Sequence, residues 1–183
     1  AALGLGSRLA SGASSRALIS RAIPSSGEKI PGVGLGSSAT FRAVAQGEDV
    51  ASLREVLKAM VDLGASVFDT APSYGASEEV AGRLAGELGI TRKIFWATKV
   101  NVAPRGGGSA DPAAARAQIE ESFRRFGVET MELIQVHNLG DIPVQLGILK
   151  ELKAAKRVRY IGVTSTSKEQ YADLTRVMRE EPL

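Results

Sequence analysis

The sequence contains no cysteine and few aromatic residues, and each of these features removes a class of protein. Without cysteine, the 183-residue chain has no disulfide framework, no thiolate metal site and no cysteine nucleophile. Aromatic residues make up only 5% of the chain, which argues against an aromatic-rich all-β sandwich. No apolar run approaches the roughly 20 residues needed to cross a bilayer. We therefore expect a soluble protein with no membrane span and predict no metal site.

Acidic residues are also absent from residues 1–27, which we treat as a leader. Its Arg8, Arg16 and Arg21 account for the whole formal net charge of +3, so the remaining residues are close to neutral. We therefore predict no nucleic-acid surface. The Ser, Ala and Arg bias of the leader fits the remnant of an export signal, an organelle transit peptide or a disordered extension. Only the last of these leaves the protein in the cytoplasm.

After the leader, in a predicted domain of residues 28–183, short apolar runs alternate with segments of helical period. The strands are predicted at 30–36, 66–70, 93–100, 131–137 and 159–163, and each is followed by a helix, at 49–63, 77–89, 111–126, 143–157 and 168–180. A glycine-rich loop at 106–108 precedes the third helix. This alternation predicts an α/β fold with a parallel sheet. It leaves two architectures open, an open doubly wound sheet and a closed (β/α)8 barrel.

Polar residues follow the predicted strands at their C-terminal ends, where barrel enzymes place their working groups. Asp69 and Tyr74 follow the second strand, Lys99 lies near the end of the third, and His137 ends the fourth. Each also has a purely structural interpretation as a helix cap, a loop aromatic, a solvent-facing lysine or a packed histidine. A lysine that ends an apolar run, however, needs a carboxylate partner, and Asp69 ends the adjacent strand. We therefore predict that these four side chains meet on one rim.

A family resemblance rests on these residues. Residues 69–75, Asp-Thr-Ala-Pro-Ser-Tyr-Gly, resemble the Asp-x-Ala-x-x-Tyr-Gly signature of the aldo-keto reductase superfamily. Lys99 stands in a Thr-Lys pair like that of the family's third strand, and His137 ends strand four as the family's histidine does. Residues 161–165, Ile-Gly-Val-Thr-Ser, are similar to the family's Ile-Gly-Val-Ser-Asn turn. The resemblance extends from about residue 29 to residue 183. It implies a TIM-type (β/α)8 barrel of which this chain contains the first five βα units, and we expect the natural protein to continue beyond them.

The resemblance also implies a chemistry. The family reduces aldehydes and ketones to alcohols with NADPH, or with NADH as the alternative cofactor. Tyr74 would donate the proton, and Lys99 would lower the pKa of the phenol while Asp69 keeps the lysine charged. His137 would direct the substrate carbonyl by a hydrogen bond.

The cofactor site implied by the same resemblance contains residues from two strand ends and the residue that orients the lysine: Gly36, Ser37, Ser38, Asp69, Thr164 and Ser165.

Two other functional classes remain open. One is a regulatory or sensing subunit that keeps the fold and the cofactor but has little turnover. The other is an unrelated barrel lyase or isomerase that uses Lys99 as a Schiff-base nucleophile, which leaves the Asp-x-Ala-x-x-Tyr-Gly spacing unexplained.

Overall fold

Parallel strands form the centre of the structure. The computed structural model describes residues 18–47, 49–103 and 108–183. Its strands are β1 (Ser20–Ala22), β2 (Lys29–Pro31), β3 (Leu35–Gly36), β4 (Val67–Asp69), β5 (Phe95–Val100), β6 (Met131–Val136) and β7 (Val158–Val163). The last five form one sheet in the order β3-β4-β5-β6-β7, with every neighbouring pair parallel. Spatial order follows chain order, as the predicted alternation of strands and helices requires.

The helices follow the strands of the sheet, and all but the last of them connect one strand to the next. They are α1 (Thr40–Ala45), α2 (Ala51–Asp62), α3 (Ser77–Glu87), α4 (Pro112–Phe126), α5 (Ile142–Ala154) and α6 (Tyr171–Glu180). Helices α2, α3, α4 and α6 lie within the predicted helical segments, and α5 begins one residue before its predicted start. The start of α4 is typical, because Asp111 accepts a hydrogen bond from the Ala113 amide and Pro112 occupies the first position. The short helix α1 was not predicted, since six residues are too few for a helical period to be recognised.

The beginning of the domain differs from the prediction. The predicted first strand is two short strands, of which β2 pairs with β1 as an antiparallel hairpin and only β3 joins the parallel sheet. Residues 20–22, in the predicted leader, therefore belong to a strand. Strand pairing depends on contacts between distant backbone groups, which composition does not report. Residues 1–17 of the leader lie outside the described residues, as do Gly106 and Gly107 of the predicted glycine-rich loop.

The hairpin is fastened to the last strand of the sheet. Glu28, which precedes β2, accepts hydrogen bonds from the Arg159 guanidinium and the Tyr160 hydroxyl of β7. The hydroxyls of Ser26 and Tyr160 lie 2.7 Å apart. The Tyr160 ring stacks on Phe95 of β5 with 6.1 Å between ring centroids. These contacts place the hairpin turn at the N-terminal ends of the strands, opposite the edge at which the predicted functional residues lie.

The helices cover the sheet with a continuous apolar core. Trp96 of β5 stacks on Phe126 of α4 at 4.5 Å between centroids and meets Phe68 of β4 edge-on at 5.5 Å. All three side chains are almost completely buried. Helices α3 and α4 approach closely at Gly82, where a Cβ atom would lie 1.9 Å from the carbonyl oxygen of Arg125. Only glycine permits this contact.

One carboxylate lies inside this helical layer. Glu78 of α3 is fully buried, and its Oε1 accepts hydrogen bonds from Thr98 Oγ1 at 2.6 Å and from Ser122 Oγ at 2.9 Å. Its Oε2 accepts a hydrogen bond from the Arg125 guanidinium at 2.8 Å. We call these four residues the Glu78 cluster. It joins the sheet to α3 and α4, because Thr98 lies on β5 and both Ser122 and Arg125 lie on α4.

None of the helices within the described residues is long and apolar enough to pass through a membrane.

Candidate active site

The lysine and the aspartate predicted to pair do so at the C-terminal edge of the sheet. Asp69 ends β4 and Lys99 lies one residue before the end of β5. The ammonium of Lys99 donates to Asp69 Oδ1 at 2.8 Å and to the carbonyl oxygen of Thr70 at 2.7 Å. The lysine side chain is only 6% exposed, whereas that of Asp69 is 43% exposed. A buried ammonium with two acceptors is held in one position, which meets the condition for tolerating a lysine here.

Tyr74 and His137 lie beside this ion pair. Their rings meet edge-on with 5.9 Å between centroids and an interplanar angle of 81°. The Lys99 ammonium lies 5.4 Å from the centroid of the Tyr74 ring. The predicted convergence of the four side chains is therefore present. Parallel strands explain it, since their carboxyl ends share one edge of the sheet.

The pKa of Tyr74 corrects one expectation. Burial, and secondly the negative charge of Asp69, raise the pKa of the Tyr74 phenol above its ordinary value of 10.0. The net shift is therefore opposite to the expected lowering, because burial and the charge of Asp69 outweigh any effect of the Lys99 ammonium. The ammonium is directed at Asp69 and Thr70, and among the described residues no hydrogen bond joins it to the phenol. Tyr74 therefore stays protonated at neutral pH and can act as a donor.

His137 is neutral for a related reason. Burial, and secondly the positive charge of Lys99, lower the pKa of His137 below 6.5, while Asp69 opposes the shift. Its Nδ1 is buried and has no hydrogen-bond partner within the described residues. A buried N–H without an acceptor is rare and costly in proteins. The neutral ring is therefore best accommodated with its proton on Nε2, which leaves an N–H donor for a ligand.

A cleft of about 850 Å³ opens at these two rings. Its volume is within the range typical of small-molecule sites. Besides Tyr74 and His137, its walls come from segments that follow all five strands of the parallel sheet, and they include Ser38, Arg42, Ser73, Asn101, Ala103, Asp141, Thr166 and Gln170. Loops at the carboxyl ends of strands thus build the cleft, as the fold predicts.

One wall is the strap formed by residues 138–141, directly after His137. Asn138, Leu139 and Asp141 have φ angles of 55°, 52° and 35°, a region that residues other than glycine rarely adopt. Such strain persists only where the surroundings impose it, and it is common at functional sites. The sequence offered one signal for this strap, the turn-forming Gly-Asp-Ile-Pro at residues 140–143, which begins inside it.

Buried Gln145 fastens the strap. Its amide nitrogen donates to the carbonyl oxygen of Gly140, and its Oε1 accepts from the Val102 amide at 3.1 Å. Asp141 adds a second tie, because its Oδ2 accepts from the Ala110 amide at 2.7 Å. The loops after β5 and β6 are thereby held together across the cleft. Sequence reasoning did not identify Gln145, since a glutamine within a helix gives no sign of its distant partners.

The predicted cofactor residues form two groups. Gly36 pairs with Asp69 in the sheet, and the Ser37 amide donates to the Asp69 carbonyl oxygen at 3.0 Å. Ser38 lines the cleft. In the second group, the Thr164 amide donates to Val136 at 3.0 Å, and its carbonyl oxygen accepts from Leu139 of the strap. The Ser165 hydroxyl is joined to Gln170.

Several features of the first group suit a polar ligand. The hydroxyl oxygens of Ser37 and Thr70 are buried and have no hydrogen-bond partner among the described residues. Buried polar groups are normally satisfied, so two neighbouring exceptions at strand ends are notable. At Gly36, a Cβ atom would meet nothing within 4 Å. Sequence reasoning missed Thr70, although it stands within the quoted signature.

The chain belongs to the Aldo/keto reductase family, whose profile matches residues 33–181. The five parallel strands and their helices are accordingly part of a TIM-type (β/α)8 barrel, as predicted. The family consists of oxidoreductases.

Individual relatives agree with this assignment. The chain is 32% identical over 146 residues to the aldo-keto reductase YhdN of Bacillus subtilis, covering 75% of this chain and 44% of YhdN. The glycerol dehydrogenase AKR11B4 of Gluconobacter oxydans superimposes with a TM-score of 0.69 at 31% identity, over 90% of this chain and 53% of that one. A Klebsiella pneumoniae aldo/keto reductase in complex with NADP and acetate superimposes with a TM-score of 0.61 at 29% identity, over 82% and 51%. The chain thus spans about half the length of the relatives it matches.

Proposed function

We propose that the protein reduces aldehyde or ketone groups to alcohols, with NADPH as cofactor and Tyr74 as proton donor. The observation that carries this proposal is the arrangement at the cleft. A protonated phenol and a neutral imidazole meet edge-on there, beside a buried lysine–aspartate pair. The volume of the cleft suits a small-molecule substrate.

His137 and Tyr74 both serve the carbonyl oxygen. A neutral imidazole that carries its proton on Nε2 donates to this oxygen and orients it. As the oxygen gains negative charge, the Tyr74 hydroxyl transfers its proton to it as a general acid. Because the pKa of Tyr74 is raised, the phenol is protonated at neutral pH and can donate this proton.

Lys99 and Asp69 act after the proton leaves Tyr74. The phenolate that remains is stabilised by the nearby ammonium, which lies 5.4 Å from the ring centroid. Asp69 and the Thr70 carbonyl prevent the ammonium from turning away, because both accept its hydrogen bonds. The pair therefore makes the proton transfer easier without itself transferring a proton.

The cofactor would be bound at the strand ends that the resemblance implies. The bound reduced nicotinamide would supply the hydride to the carbonyl carbon. The residues that would bind it are Gly36, Ser37, Ser38, Asp69, Thr164 and Ser165. The unpartnered hydroxyl of Ser37 and the open space at Gly36 support this assignment. NADP in the Klebsiella relative favours NADPH over NADH.

The substitution Tyr74→Phe in the complete natural protein tests the proposal. We expect NADPH binding, followed by cofactor fluorescence, to be unchanged, while carbonyl-dependent loss of NADPH absorbance falls by roughly 10²–10⁴-fold. Tyr171→Phe is the matched control, since Tyr171 is exposed on α6 and does not line the cleft. Full turnover in Tyr74→Phe contradicts the role of Tyr74. Cofactor binding without turnover on any carbonyl favours a sensing subunit instead.

A further inference from the structure

One charged side chain at the cleft has no part in the chemistry above. Arg42 of α1 lines the cleft together with Ser38, Ser73 and Tyr74. We propose that Arg42 forms a subsite for a carboxylate group, so that the preferred substrates are carbonyl compounds that also carry a carboxylate. This proposal rests on the proposed reductase function and specifies its substrate class.

The packing of α1 directs Arg42 towards the reacting centre. Arg42 and Gln46 are four residues apart, and the Gln46 amide donates to the Arg42 carbonyl, so both side chains lie on one helical face. The Gln46 side chain contacts the turn that contains Tyr74. A Cβ atom on Gly75, which has a φ of 59°, would lie 2.6 Å from Gln46 Nε2. The face that carries Arg42 is therefore the face that meets the tyrosine turn.

The charge of Arg42 is also free to meet a ligand. Within the part of the chain that the structure describes, eight arginines form ion pairs with carboxylates: Arg54, Arg83, Arg116, Arg124, Arg125, Arg157, Arg159 and Arg176. Arg42 forms neither an ion pair nor a side-chain hydrogen bond with any described residue. It thus differs from most arginines of this protein by facing a cleft instead of a carboxylate.

The other charges at the cleft are already engaged. The ammonium of Lys99 is held by Asp69, and Asp141 accepts a hydrogen bond from the Ala110 amide. A guanidinium offers two parallel N–H groups, which match the two oxygens of a planar carboxylate. A phosphate dianion would bring a second negative charge into a cleft that already contains Asp141. A single arginine in a cleft that also contains an aspartate therefore favours a singly charged carboxylate.

Paired substrates test this inference in the complete natural protein. 4-Carboxybenzaldehyde and 4-formylbenzamide have nearly the same shape and differ in charge. We expect kcat/KM for the carboxylate to exceed that for the amide by about tenfold or more, because a charge-assisted hydrogen bond contributes about 1.5–3 kcal/mol. Arg42→Gln should remove this preference through KM, with a much smaller change in kcat/KM for the amide than for the carboxylate. Arg42→Lys should retain part of it.

Arg92→Gln is the control for a general change of charge, since Arg92 is exposed and does not line this cleft. It should keep the full preference. An unchanged ratio of the two substrates in Arg42→Gln, with both aldehydes reduced, overturns the carboxylate subsite and leaves the reductase function intact.

A binding measurement separates the two proposals further. The ring NMR signals of His137, assigned by their absence in His137→Gln, report on the cleft without any turnover. Benzoate should shift these signals in the unmodified protein and not in Arg42→Gln, and benzamide should shift them at most weakly in either protein. If no carbonyl is reduced but benzoate still binds through Arg42, the reductase function fails while the carboxylate subsite stands. If benzoate shifts both proteins equally, the subsite is refuted.

Discussion

Each of two ion pairs in this fold has one buried member, and the two pairs are satisfied to very different degrees. In the Glu78 cluster, Oε1 of the carboxylate accepts from a residue of β5 and a residue of α4, Oε2 accepts from Arg125 of α4, and the glutamate is fully enclosed. At the cleft, the Lys99 ammonium is equally well held, but its partner Asp69 is 43% exposed. Around it, Ser37 Oγ, Thr70 Oγ1 and His137 Nδ1 are buried without hydrogen-bond partners among the described residues.

This difference indicates that the ion pair of Glu78 has a structural role and that the ion pair of Lys99 and Asp69 has a functional one. A cluster whose polar atoms are all paired gains nothing by binding a ligand, and its contribution is to the stability of the fold. The cleft, in contrast, has unpaired buried polar atoms, a raised pKa at Tyr74 and a lowered pKa at His137. Such features destabilise the folded protein, and they are typical of sites that bind a ligand or catalyse a reaction. The two ion pairs should therefore respond differently to removal of one partner.

The largest expected effect is a loss of stability in Glu78→Ala. This change leaves the largely buried Arg125 guanidinium and two buried hydroxyls without their acceptor. We expect the free energy of unfolding, measured by urea denaturation, to fall by about 3–5 kcal/mol. Glu79→Ala is the matched control, because Glu79 is the exposed neighbour on the same helix and should change stability by less than about 0.5 kcal/mol. Equal effects of the two changes would contradict the structural role of the Glu78 cluster.

Lys99→Met should show the opposite pattern. The half-exposed Asp69 stays hydrated after the lysine is removed, so we expect the free energy of unfolding to change by no more than about 1 kcal/mol. Turnover, in contrast, should fall by roughly a hundredfold, because the phenolate of Tyr74 loses its nearby positive charge. The exposed Lys93 provides the control Lys93→Met, which should alter neither quantity. A Lys99 variant that unfolds readily but keeps its turnover would remove the distinction between the two ion pairs.

The smallest expected effect is a pH dependence of stability that belongs to His137. Its pKa is lowered in the folded protein, so the unfolded chain binds the proton more readily. The free energy of unfolding should therefore fall as the pH drops below the ordinary value of 6.5 and through the folded pKa. Comparing denaturation curves of the unmodified protein and His137→Gln isolates this contribution, and NMR titration of the ring gives the folded pKa. A midpoint above 6.5 in the NMR titration of the His137 ring would show that the burial of the ring does not control its protonation.

Much of the site could be predicted from the sequence, because its side chains lie in a few short segments of the chain. The stretch from Asp69 to Gly75, the Thr-Lys pair and the histidine after a strand each stand next to a recognisable element. Parallel strands then bring their ends to one edge without any further information. The start of α4 was readable for the same reason, because Asp111 and Pro112 act on their own immediate neighbours.

Other features depended on partners that are distant in the chain. In the sequence, Glu78 and Glu79 are equivalent carboxylates in a first helical turn, yet only the first meets Thr98, Ser122 and Arg125. Three other features also depend on distant partners. They are the hairpin of β1 and β2, the hydrogen bonds of Gln145 to Gly140 and Val102, and the position of Arg42 at the cleft. The pKa of Tyr74 was expected to be lowered because the sequence places a lysine nearby but does not show where its hydrogen bonds point.

The sequence by itself determined the alternation of strands and helices, the ends of most helices and the side chains that meet at the C-terminal edge of the sheet. These depend on local backbone preferences and on a period that a short window reveals. The tertiary structure alone decided which buried charges are satisfied, which polar atoms are left for a ligand and which arginine faces the cleft. Those properties depend on distances between residues far apart in the chain, and electrostatic and hydrogen-bond energies change over a few ångströms.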